Sequence, residues 1–154
     1  MTKEPSRSRS ERTSESAIAW PRRDGEGRIP AFRHLLEAVA VLLVIGLLAV
    51  GVLDLLSAWV QIGELGGTSG WLGGLMAFWL YVEEFRAWRG SRNRLLLALL
   101  AGVISLGAGI LVGGLADGLP ILLGGGLGVA VAVLVYAPIW FFGIRAMGDK
   151  EVAG

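Results

Sequence analysis

The chain has 154 residues, of which 54% are hydrophobic and 18% charged, and 24 are glycine; its mean hydropathy is +0.64. Soluble domains carry about 25% charged residues, so the composition excludes an ordinary soluble fold and points to an integral membrane protein. A net charge of +1, no cysteine and one histidine leave no footing for a disulfide framework, a thiolate centre, a conventional metal site or nucleic-acid binding.

Residues 1–34 are polar and rich in Ser, Arg and Glu, with eight basic residues against five acids. Too little apolar surface is present to offset the entropy of ordering, so a mostly disordered cytoplasmic tail is expected. Within it, Trp20 to Arg33 sets Trp20, Ile29 and Phe32 among arginines. That stretch reads as a solvated linker, with anionic lipid headgroups as the alternative partner.

Four apolar runs follow, at about 35–60, 65–85, 95–116 and 119–144. Roughly 20 residues cross a hydrocarbon core of about 30 Å, so the first, third and fourth are long enough. The second is doubtful, because it opens on Gly66, Gly67, Thr68, Ser69 and Gly70, with a re-entrant or interfacial segment as the alternative. Only Asp117-Gly118 separates the last two runs, which predicts a tight antiparallel hairpin. Residues 148–154 form a short C-terminal tail.

Charge placement decides the doubtful run. With four crossings and the amino terminus in the cytoplasm, all fourteen lysines and arginines fall on the inner side: the tail, the second connection (Arg86, Arg89, Arg92, Arg94), and Arg145 with Lys150. The outer connections then carry only Glu64 and Asp117, as the positive-inside rule requires. The expected fold is therefore an all-α, four-helix transmembrane bundle over residues 35–147, multi-pass in the cell (cytoplasmic) membrane, with both termini cytoplasmic.

Helices in lipid gain nothing by burying apolar surface against each other, so small residues must carry the packing. The third run offers Ala101, Ser105, Gly109 and Gly113, and the fourth Gly124, Gly128 and Ala132. A hairpin turning at residue 118 brings 113 opposite 124, 109 opposite 128 and 105 opposite 132. Gly109 and Gly128 are expected to make the closest backbone approach in the molecule. The second run's ladder, Gly66, Gly70 and Gly74, suits Gly46 and Gly51 of the first run or another subunit. Pro138 predicts a kink in the fourth helix.

Asp54 is the one acid deep in a run, and intramembrane acids are functional candidates by default. It reads either as a proton- or cation-binding group or as a structural carboxylate near the outer interface. Arg33, His34 and Glu37, one helical turn apart, and Glu83, Glu84 and Arg86 form a polar cluster at the inner boundary, most simply interfacial ion pairs. No Gly-x-Ser-x-Gly, His-Glu-x-x-His or phosphate-loop pattern is present. The run Gly124-Gly125-Gly126-Leu127-Gly128 belongs to an apolar helix, where packing explains it.

The chain thus reads as non-catalytic and without a cofactor. The leading reading is a small membrane subunit or scaffold that oligomerises, or joins a larger membrane complex, through Gly-rich helix faces. One alternative is a small proton- or cation-coupled transporter or channel using Asp54; another is an envelope sensor whose basic tail binds lipid or a partner.

Overall fold

The computed structural model describes residues 20–60, 69–91, 93–116 and 118–152. Regular structure among them is helical, with no strand: α1 (Phe32–Trp59), α2 (Ser69–Leu72), α3 (Leu75–Ala87), α4 (Arg94–Leu115) and α5 (Ile121–Val152). By length and composition, α1, α4 and the Leu122–Met147 stretch of α5 are long and apolar enough to cross a membrane, and they mark the chain as a membrane protein.

α1 starts just after Pro30. Ala31 is extended, and its carbonyl accepts the first amides of the helix, those of His34 and Leu35. The second apolar run forms two helices rather than one. At Gly73 and Gly74 the amides bond to Gly70 and Trp71, three residues back, and the α-helical pattern resumes when Phe78 donates to Gly74. This break lets backbone meet backbone: a β-carbon on Gly46 would strike the Gly73 carbonyl, and one on Gly73 would lie 2.5 Å from the Leu47 side chain.

α5 is the central element. α4 lies along it, α2 crosses its start, and α1 packs on both α5 and α3. α5 runs unbroken through Pro138 to Val152, beyond the expected end near 144. The hairpin register is as the residue spacing requires. A β-carbon on Gly109 would lie 2.6 Å from the Gly128 carbonyl oxygen, and one on Gly113 would be 3.7 Å from that of Gly124.

Two expectations need correction. The Gly109–Gly128 approach is not the tightest, because added β-carbons would come closer to backbone at Gly46 against Gly73 and at Gly70 against Gly126. The ladder of the second run is also differently used: Gly70 packs on Gly125 and Gly126, Gly74 faces Val129, and Gly73 meets α1, while Gly66 lies outside the described residues. Gly70 and Gly74 thus both meet α5, and Gly73, between them at the break, meets α1, so the ladder's partner differs from the one its spacing suggested.

Candidate functional site: a clasp at the arginine-rich end

Polar side chains gather where the chain before α1, the end of α3, the start of α4 and the end of α5 meet. The chain before α1 forms a built turn. The Asp24 carboxylate accepts the amides of Glu26 (3.0 Å) and Arg28 (2.8 Å), while its backbone pairs with Gly27 and Arg28. Gly27 takes a φ of +78° there, a conformation that costs glycine little. Residues 20–31 are therefore built onto the bundle; residues 1–19, the larger part of the tail expected to be mostly disordered, lie outside the described residues.

The turn delivers Ile29 to the bundle fully buried. Its amide donates to both carboxylate oxygens of Glu84, at 3.3 and 3.2 Å, and its carbonyl accepts from Arg145 Nη2 at 2.6 Å. The backbone of one residue is thus gripped from both sides, by α3 at its amide and by α5 at its carbonyl. Glu84 is 1% exposed and also accepts from Trp88 Nε1 at 3.1 Å, with Arg23 Nη1 4.0 Å away. A buried carboxylate survives when its oxygens are bonded and cations stand near, and both conditions are met here.

Arg145 also donates to the Phe141 carbonyl at 3.1 Å, and its guanidinium lies 3.4 Å from the Phe141 ring centroid. Arg23 bonds to Glu83 at 3.4 Å and to the Gly27 carbonyl at 2.8 Å. Arg28 pairs with Glu26 and stacks on Trp88, 4.1 Å from its centroid.

The anticipated inner-boundary cluster is therefore split. Glu83 and Glu84 belong to the clasp, while Arg86 is exposed. Arg33, His34 and Glu37 face Trp20, Pro21 and Arg22 across a separate cavity of about 380 Å3. Arg23, Asp24, Ile29, Trp88 and Arg145 complete the clasp, and none of them stands out from the sequence as a member of the polar cluster. Asp54 is half-buried on α1 and lines neither this cavity nor the one described next. Among the described residues no group of three His, Asp or Glu side chains is arranged to hold a metal ion.

A second cavity, of about 490 Å3, opens between α3 and α4, with α5 as its floor. Its walls are mostly apolar, and two of the hydroxyls beside it are tied to backbone. The Tyr81 hydroxyl donates to the Val133 carbonyl at 2.8 Å, and the Ser105 hydroxyl to that of Ala101 at 2.6 Å. Trp71 closes one end by lying in the notch over Gly109 and Gly128. Phe85 bounds the other, under the Arg94 guanidinium 4.6 Å from its ring centroid.

Comparisons of the chain with known protein families, with curated proteins and with solved structures found no match.

Proposed function

We propose that the chain is a four-crossing protein of the cytoplasmic membrane with both termini inside. It serves there as a non-catalytic subunit or scaffold that self-associates or joins a larger membrane assembly. The clasp supports the topology: contacts from before α1, from the end of α3 and from the end of α5 converge, as an even number of traverses requires. The second traverse would be the broken α2–α3 pair. Basic residues of the α3–α4 connection lie toward the same end, in keeping with the positive-inside rule.

The observation that carries the assembly role is an unused face of α4. Ala101, Ser105 and Gly109 are buried within the chain, and Gly113, Gly124 and Gly128 also face internal neighbours. Those stripes are spent on the bundle itself. Val103, Gly107, Ile110 and Gly114 are instead exposed on α4, with open space over both glycines. Small residues on an apolar face let a second helix approach closely in lipid.

Crosslinking in native membranes tests this reading. Wild type should give a discrete homo-oligomer or a fixed-stoichiometry complex, and Gly107→Leu with Gly114→Leu should abolish it. A monomeric wild type, or a complex indifferent to both substitutions, defeats it. The chain lacks cysteine, so topology is tested separately with Arg92→Cys and Leu119→Cys. An impermeant maleimide should label position 119 from outside and position 92 only after permeabilisation.

A further inference from the structure

The cleft between α3 and α4 has a chemistry that the assembly role does not use. It is walled by side chains such as Phe78, Val82, Leu95, Leu99 and Leu106, and the Tyr81 and Ser105 hydroxyls beside it are already bonded to backbone. A volume of about 490 Å3 lies within the range of about 300–1,000 Å3 typical of small-ligand sites. A flexible hydrocarbon chain suits such an apolar slot.

The mouth beside Phe85 and Leu95 has the opposite character. Residues 85–94 contain four arginines and no acid; Arg86 and Arg89 are exposed, and Arg94 reaches back to the Phe85 carbonyl at 3.3 Å. The amino-terminal end of α4 lies at the same mouth without a side-chain cap, adding partial positive charge. A long apolar slot under a cationic rim is complementary to one class of molecule abundant in a bilayer.

We propose that this cleft is a specific site for one anionic phospholipid of the arginine-side leaflet. One acyl chain lies between α3 and α4, and the phosphate sits against Arg86, Arg89 and Arg94. The proposal requires only that the cleft lie within a bilayer, so it stands or falls independently of the assembly role.

Gly102 provides the test, because it lines the cleft and a β-carbon on it would meet nothing within 4 Å. Leucine there occupies the slot without disturbing the backbone. Full-length protein in detergent is titrated with phosphatidylglycerol and with phosphatidylcholine, and bound lipid is counted by native mass spectrometry. Wild type should retain one phosphatidylglycerol at least about tenfold more tightly than phosphatidylcholine. Gly102→Leu should lose that retained lipid while its thermal unfolding stays as wild type. Arg86→Gln with Arg89→Gln should bring phosphatidylglycerol down to the phosphatidylcholine level. Equal retention of the two lipids by wild type, or retention unchanged by Gly102→Leu, overturns the site.

Discussion

Replacing Glu84 with alanine should release the segment before α1 from the bundle. The carboxylate is the acceptor for two donors, the Ile29 amide and Trp88 Nε1, and it is almost fully buried. Leaving a buried donor unpaired costs about 1–3 kcal/mol. The added loss from nearby arginines is small, because Arg23 keeps Glu83 and Gly27 and Arg145 keeps two carbonyls. A weakening of about 3 kcal/mol follows, toward the lower end of the sum because water reaches both donors once the segment lifts. At 1.4 kcal/mol per tenfold, the lifted population rises by about 150-fold.

Trypsin reads that population at the Arg28–Ile29 bond, which cannot enter a protease while Ile29 is buried. Cleavage tracks the open fraction when reclosing is fast. The full chain in nanodiscs is digested and the Arg28–Ile29 cut is followed by mass spectrometry, with the exposed Arg89–Gly90 bond as internal reference. Glu84→Gln keeps a carbonyl acceptor but exchanges charged hydrogen bonds for neutral ones, weaker by about 1–1.5 kcal/mol, so its cut should accelerate only about tenfold. The expected order is Ala, then Gln, then wild type. If the cut in Glu84→Ala stays within about twofold of wild type, Glu84 does not hold the segment.

Arg145→Lys should also speed the Arg28–Ile29 cut, since an ammonium cannot reproduce a planar fork that spans two carbonyls and stacks on Phe141. Glu84 and Arg145 hold the backbone of the same residue, Ile29, so a double-mutant cycle on that cut should show a coupling of about 0.5–3 kcal/mol; strict additivity would separate the two contacts. Gly109→Ala should destabilise the bundle by about 1–3 kcal/mol, because the atoms in its way are a carbonyl and the Ala132 β-carbon, which cannot swing aside. Gly107→Ala, in open space, should gain up to about 1 kcal/mol of helix propensity, both read by reversible unfolding in mixed micelles. Tyr81→Phe removes the bond to the Val133 carbonyl and should cost about 1 kcal/mol in the same assay, with no change in the Arg28–Ile29 cut.

The long helices were readable because a bilayer punishes any unpaired peptide group, so crossing segments must be both helical and apolar over a known length. The α4–α5 register was readable for a different reason: with so short a turn, opposition of Gly109 and Gly128 follows from counting alone. Counting did not give the partner of the second run: Gly70 and Gly74, four residues apart, both pack on α5, while Gly73, held between two consecutive turn bonds, makes the close approach to Gly46 of α1. The clasp was hidden more deeply. Glu84 and Arg145 grip the amide and carbonyl of Ile29, groups that nearly every residue possesses, so no pattern of side-chain types announces the pairing. The composition of residues 20–31 argued against order because it offers little apolar surface to bury. That argument omits charge-assisted bonds to buried peptide groups, each about 1.5–3 kcal/mol. A segment with one buried isoleucine can be held by such bonds when the far side of each already waits, paired and desolvated, at the end of a helix.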